Sequence, residues 1–173
     1  GWDTSGFDAS SWKQANEVAA PGGVLTPMPC EQELVTEVIT PVSMTESEPG
    51  VYVYDMGRNI TGWVQLTVKG ASSGDEIQLH FGEAQYEDGR INTSSNNAAR
   101  QQDHYICRGD ECEVYEPQFT FHGFQFVEMR GYPGQPDMQT LEGRFVRTAV
   151  AETGSFECGN DMINNIHQCT RQS

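Results

Sequence analysis

The segment 55–63, DMGRNITGW, contains residue types that suit the binding of a sugar or a metal ion. Two glycines bracket a polar turn, and glycine permits the tight backbone that such a turn needs. Asp55 and Asn59 then offer side-chain oxygens to a calcium ion or to sugar hydroxyls, and Trp63 offers a ring for stacking on a sugar face. The alternative is a structural corner between two strands, with Asn59 capping its own backbone and Trp63 in the core.

Paired carboxylates are a second candidate for chemistry, because glycoside hydrolysis uses two of them roughly 5 to 10 Å apart. Asp55 and Glu83, both at the ends of extended segments, are the pair to test, although 25 acidic residues make chance pairs common. The stretch 116–127 carries five rings, most of which we expect in the core, while His122 is predicted at the rim of a concave sheet. The candidate carbohydrate-binding residues are therefore Asp55, Asn59, Trp63, Glu83 and His122, and no residue is assigned a catalytic role.

The five cysteines follow no metal-ligand spacing that we recognise. Cys107 and Cys112 flank the polar stretch 108–111, which lies between two apolar segments. If these segments form a hairpin, the two side chains face each other and can form a disulfide. In a reducing compartment the same residues remain two free thiols. The sequence leaves both alternatives open.

The charge of the chain excludes several partner classes. Ten basic and 25 acidic residues among 173 give a formal net charge of −15. This field repels phosphate backbones and anionic lipids, so we expect neither a nucleic acid nor a membrane as a partner. Neutral sugars and divalent cations remain compatible with it. P-loop, dinucleotide-binding, nucleophile-elbow and zinc-protease signatures are missing as well.

The elements that must position these residues are short strands. Runs with alternating apolar and polar residues recur between glycines and prolines, which is the period of a strand with one buried face. About eight strands without intervening helices predict an all-β fold, an antiparallel jelly-roll β-sandwich. The predicted strands are 34–40, 51–55, 63–69, 76–83, 103–107, 113–116, 124–130 and 141–150.

Two segments break this strand pattern. The polar stretch 85–102 is long for a loop in a compact domain, so we interpret it as functional or disordered. At the end of the chain, Asn160 is placed to cap a short helix that is too short to be stable alone in water. We therefore predict a linker packed on the sandwich by Trp2, Phe7 and Trp12 over 1–29, the sandwich over 30–152, and the start of a following helical domain over 153–173. The opening shows no leader peptide, and the chain reads as a piece of a longer protein.

Several motifs in a fixed order resemble one known family. They are YVYDMGRNITGW at 52–63, LHFGE at 79–83, DHY at 103–105 and YEPQFTFHGF at 115–124. This series resembles the concanavalin-like β-sandwich domain of bacterial α-L-rhamnosidases. The opening GWD with FDASSW at 7–12 is similar to the segment that leaves the family's N-terminal β domain. GSFEC at 154–158 is similar to its connection to the catalytic α/α toroid. Arg58 departs from the glutamine that is common in the family.

The resemblance implies an enzyme fragment without its own catalytic residues. In this family the general acid and base are carboxylates of the helical toroid, and no segment here matches their motif. We therefore expect a non-catalytic domain that scaffolds the catalytic domain of its parent enzyme in the inverting hydrolysis of terminal L-rhamnose. The alternative is a calcium-assisted rhamnose-binding module, and a third hypothesis is a free-standing sandwich enzyme. Scaffolding requires no cofactor, and glycan degradation suits a periplasmic or cell-surface location better than the cytoplasm.

Overall fold

The structure is a computed structural model that describes residues 2–172, so the outermost positions of the predicted segments 1–29 and 153–173 lie outside the described residues. Its strands are β1 (Glu33–Ile39), β2 (Ser43–Glu48), β3 (Val51–Lys69), β4 (Glu76–Gly82), β5 (Ala84–Gln85), β6 (Ile91–Asn92), β7 (Gln102–Ile106), β8 (Cys112–Tyr115), β9 (His122–Arg130) and β10 (Leu141–Thr148). A 3-10 turn spans Ser94–Asn96, and the helix α1 spans Asp161–Gln172.

The strands form two antiparallel layers that share β3. One layer has the order β2-β3-β9-β4-β7, and the other has the order β1-β10-β3-β8. Residues 51–55 and 60–62 of β3 pair with β9 in the first layer, whereas residues 62–69 pair with β10 and β8 in the second. At 19 residues β3 is longer than most strands; its register with β9 shifts between Asp55 and Ile60, and at Gly62 it pairs with strands of both layers.

The core lies between the two layers, because alternate side chains of each strand point inward. Residues 64, 66 and 68 of β3 are buried, while residues 65, 67 and 69 face outward. The inner residues of the central strands include Tyr54, Leu66, Ile77, Leu79, Phe81, Phe124, Val127, Met129 and Leu141. The predicted antiparallel β-sandwich with a short C-terminal helix is thereby confirmed.

Every predicted strand has a counterpart, and three details differ. β2 was missed because its sequence SMTESE offers the core only Met44, which is partly buried. Residues 51–69 form one strand and not two strands joined by a corner. The polar stretch 85–102 contains most of the short hairpin of β5 and β6 and all of the 3-10 turn, so part of it has regular structure.

The two ends of the described chain differ in structure. Trp2, Phe7 and Trp12 are exposed, and Phe7 and Trp12 pack edge-to-face on each other with ring centroids 5.4 Å apart. The three side chains expected to pack this segment on the sandwich are therefore largely exposed, and the extent of the linker stays a prediction. Asn160 caps α1 as predicted, because its Oδ1 accepts the Met162 backbone amide at 3.0 Å.

Within residues 2–172, no helix is long and apolar enough to cross a membrane.

Candidate functional site

The segment 55–63 is a bulge within β3. Asp55 is paired with Phe126 and Ile60 with Phe124, so the intervening residues loop out of register. Gly57 has a φ of +79°, a backbone conformation that favours glycine, and its amide donates to Asp55 Oδ1 at 2.7 Å. The glycine-bracketed turn predicted from the sequence is therefore formed inside a continuous strand.

Asp55 holds this bulge in place. Its Oδ1 accepts the Gly57 amide and also the Gln125 side-chain amide at 2.9 Å. The second bond ties the bulge to the neighbouring strand β9. Asn59, by contrast, is exposed, and within residues 2–172 its side chain makes no hydrogen bond, so it does not cap its own backbone.

Asn59 and Glu83 line the same cleft, which has a volume of about 280 Å³. Its floor contains the buried rings of Phe124 and Phe145, while Asn59, Glu83 and the last turn of α1 contribute polar groups to its rim. An apolar floor with an amide and a carboxylate at the rim can hold the C–H face and the hydroxyls of a small polyol. We call these residues the bulge cleft.

Trp63 lies in a different cleft, although only three residues separate it from Asn59. Its Nε1 donates to Glu116 Oε1 at 2.7 Å, and the side-chain amide of Gln65 donates to Glu116 Oε2 at 2.9 Å. Burial by itself raises the pKa of Glu116, but these two hydrogen bonds and the nearby Arg144 outweigh it, so the pKa lies below its ordinary value. Trp63 is half-buried and outside the core cluster, so neither sequence-based interpretation describes it fully.

His122 is buried in the interior, which corrects its predicted position at a sheet rim. Its Nε2 lies 3.0 Å from Asp103 Oδ1, and its ring stacks on Phe81 with centroids 4.2 Å apart. The inward direction of Asp103 follows from the strand period, because Asp103 and Tyr105 are alternate residues of β7. Its pairing with His122 was missed because β7 and β9 are not adjacent in sequence.

No disulfide joins any of the five cysteines, all of which lie within residues 2–172. Cys107 is buried and Cys112 is exposed, so the bridge that was one of two alternatives is not formed. The hairpin that it required does not exist. β7 pairs with β4 in one layer, whereas Cys112 at the start of β8 pairs with Lys69 of β3 in the other.

Glu113 is a buried carboxylate that sequence reasoning missed. It accepts the backbone amides of Arg108, Gly109 and Asp110 at 2.9, 2.9 and 3.1 Å, and also the Tyr105 hydroxyl at 2.5 Å. The Arg108 amide contributes most, and together these donors lower the pKa of Glu113 to about 2. Its partners all belong to the chain itself, so we assign it a structural role in holding the turn between β7 and β8.

Two of the five rings in the stretch 116–127 face solvent and not the core. Phe119 is fully exposed and has a φ of +63°, which is unusual for a residue other than glycine, and Phe121 is also exposed. Phe119 borders the cleft that contains Trp63. Such exposed rings commonly mark a contact surface, and we call Phe119 and Phe121 the aromatic patch.

The described residues hold no cluster of three or more His, Cys, Asp or Glu side chains that could bind a metal ion. The predicted pair of Asp55 and Glu83 does not share a cleft either, because Asp55 is absent from the lining of the bulge cleft.

Two antiparallel layers around one core, with shallow clefts at the surface, define a concanavalin-like β-sandwich domain. The model of the bacterial alpha-L-rhamnosidase concanavalin-like domain matches residues 45–147, and the chain belongs to this family. This confirms the resemblance that the sequence motifs indicate.

Similar proteins agree with this assignment. An alpha-L-rhamnosidase of Streptomyces avermitilis is 36% identical over 96% of this chain and 16% of the relative, and one of Formosa agariphila is 31% identical over 98% and 18%. The structure of an alpha-L-rhamnosidase from Dictyoglumus thermophilum superposes with a TM-score of 0.90 at 44% identity, covering 99% of this chain and 20% of that chain. The chain thus spans about a fifth or less of these proteins.

Proposed function

We propose that this chain is the non-catalytic β-sandwich domain of an α-L-rhamnosidase and that it packs beside the catalytic domain during hydrolysis of terminal L-rhamnose. The observation that carries the proposal is the share of the relatives that the chain covers, 16% and 18% of two alpha-L-rhamnosidases. Most of each relative lies outside the matched segment, which leaves room for a separate catalytic domain.

The carboxylates of the described chain support this division of labour. An inverting hydrolase needs one carboxyl group to protonate the leaving oxygen and another to activate water across the same sugar. Asp55 is held by two hydrogen bonds inside the bulge, and Glu83 is the only acidic residue in the lining of the bulge cleft. The acid–base pair would therefore come from the catalytic domain of the parent enzyme.

Exposed apolar side chains support a packing role. Burying such surface stabilises a contact by about 25 cal/mol per Å². The aromatic patch is one such surface, and the outer residues of β1 and α1 form others: Leu34, Val35, Val38, Met162, Ile163 and Ile166 are all exposed. At 12 residues α1 is too short to be stable alone, so a covering partner would stabilise it.

The first test compares the 173-residue chain with its parent polypeptide on an aryl α-L-rhamnoside. We expect turnover by the parent and none by the chain. Turnover by the chain that disappears in Glu83→Gln would overturn the scaffold proposal.

A second test addresses the packing surface in the parent polypeptide. We expect Phe119→Ser/Phe121→Ser to lower the temperature of unfolding and to speed proteolytic separation of the domains. Tyr86→Ser, which removes an exposed ring from the β5–β6 hairpin, is the matched control and should change neither. Equal behaviour of the two variants would argue against packing through the aromatic patch.

A second candidate function is the binding of L-rhamnose, assisted by calcium. The observation that favours it is the convergence of Asn59 and Glu83 on one cleft with an apolar floor. Calorimetric titration of L-rhamnose with and without calcium tests this function. Heat that is lost in Asn59→Ala and kept in Trp63→Ala would support the bulge cleft, since Trp63 lies elsewhere. A flat trace under both conditions would rule it out.

A further inference from the structure

A larger cleft of about 560 Å³ lies on the outer face of the second layer. One wall is formed by Gln65, Thr67 and Lys69, the outward residues of β3. The other wall is the loop 131–140, which connects β9 to β10. We call it the loop cleft. It shares no lining residue with the bulge cleft and lies within the usual size range of ligand sites.

The loop wall is held in one conformation by its own hydrogen bonds. The buried side chain of Tyr54 donates to the Asp137 carbonyl at 3.0 Å, which fastens the loop to the core. Asp137 Oδ1 accepts the backbone amide of Gln139 at 2.8 Å, and Thr140 Oγ1 accepts the backbone amide of Asp137 at 2.9 Å. The Thr67 amide donates to the Thr140 carbonyl at 2.9 Å and joins the two walls. A cleft that is ordered before binding saves the entropy cost of ordering it.

Several polar groups of this rigid cleft have no partner in the protein. Within residues 2–172, the side chains of Gln135, Gln139, Lys69 and Thr40 make no hydrogen bond or ion pair. They are exposed and line the cleft together with the half-buried ring of Tyr132. The cleft therefore presents two amides, a hydroxyl and an ammonium group beside an aromatic ring.

We propose that the loop cleft binds a neutral saccharide, with Gln135 and Gln139 as its main hydrogen-bonding residues. Each side-chain amide is both a donor and an acceptor, which matches the alternating donor and acceptor character of neighbouring sugar hydroxyls. Tyr132 supplies the apolar surface on which the C–H face of a sugar ring packs. Lys69 donates further hydrogen bonds to hydroxyl oxygens.

The charges of the cleft favour a neutral ligand over an anionic one. Asp137 and Glu142 also line it, and the whole chain has a formal net charge of −15. One lysine does not offset this field for a ligand that carries a carboxylate or a phosphate. The saccharide proposal for the loop cleft does not depend on the domain packing or on the bulge cleft. It can therefore be disproved while either of those proposals stands.

The test uses NMR of the 173-residue chain and follows the side-chain amide signals of its glutamines. The probes are maltotriose, L-rhamnose and, as an anionic comparison, D-galacturonic acid. We expect a neutral sugar to shift the Gln135 and Gln139 signals saturably, with a dissociation constant of about 1 mM. Galacturonic acid should shift them less at the same concentration.

The variant Gln135→Ala/Gln139→Ala should weaken the neutral sugar's binding by at least about tenfold while the temperature of unfolding stays unchanged. Gln102→Ala, an exposed glutamine on β7 outside the cleft, is the matched control and should bind as the wild type does. Absence of saturable shifts with both neutral sugars would overturn the proposal. Stronger binding of galacturonic acid, or equal affinity in the double variant and the wild type, would overturn it as well.

Discussion

His122 Nε2 lies 3.0 Å from Asp103 Oδ1 in the interior of the sandwich, although the strands that carry these residues are separated by β4. The His122 ring reaches this position by stacking on Phe81 of the intervening strand. Asp103 Oδ2 is buried and, within the described residues, has no hydrogen-bond partner. His122 therefore makes the one hydrogen bond that this carboxyl group has in the described structure.

We expect His122→Ala to lower the free energy of unfolding by about 3 kcal/mol, because it leaves a buried carboxyl group without a partner. The double variant Asp103→Leu/His122→Phe replaces the pair with apolar groups and should lie within about 1 kcal/mol of the wild type. Urea unfolding of both variants measures this difference. If both lose the same stability, the pair is not the source of the effect.

The low pKa of Glu113 predicts a loss of stability in acid. Its carboxylate has a pKa of about 2 in the folded protein against an ordinary 4.5, so the unfolded chain takes up the proton first as the pH falls. Its contribution is fully present above pH 4.5 and is lost as the pH falls toward 2.

Glu113→Gln should flatten this part of the pH dependence, as measured by thermal unfolding across that range. Glu111→Gln removes a neighbouring exposed carboxylate and is the control. If the curve of Glu113→Gln is as steep as that of the wild type, other carboxylates govern the acid transition.

Gly62 is required by a close backbone approach. Its φ is +148°, and a Cβ atom added to it would lie 1.8 Å from the Arg144 carbonyl oxygen on the paired strand β10. We expect Gly62→Ala to destabilise the protein by at least about 3 kcal/mol, because two paired strands would have to separate. Gly74 also has a positive φ, but a Cβ there meets nothing within 4 Å.

Gly74→Ala should therefore cost only its backbone strain, about 1 kcal/mol. Denaturant unfolding of the two alanine variants makes the comparison. Similar losses in both would show that the φ value matters and the approach to Arg144 does not.

The free thiols of Cys107 and Cys112 should react at different rates. Cys107 is buried, and burial raises its pKa, whereas Cys112 is exposed. We expect iodoacetamide to label Cys107 at least about tenfold more slowly than Cys112 in the native protein. Peptide mass spectrometry after timed labelling measures both rates, and denaturant should remove the difference. Recovery of a peptide that contains a bridge between the two cysteines would contradict the structure.

The sequence by itself determined most of the strands and the inner faces of those it identified. Alternation in the segment 63–69 places Val64, Leu66 and Val68 in the core, because side chains of a strand point to opposite sides in turn. The helix cap at Asn160 followed from local chemistry in the same way. The family was recognisable because its motifs occur in a fixed order along the chain.

Only the tertiary structure decided which strands are neighbours. A two-residue period tells which face of a strand is buried, but it does not identify the strand that pairs with it. For that reason Cys107 and Cys112 are close in sequence yet belong to different layers, and Asn59 and Trp63 line different clefts. His122 and Asp103 also meet only in the folded sheet, where their strands β9 and β7 lie on either side of β4.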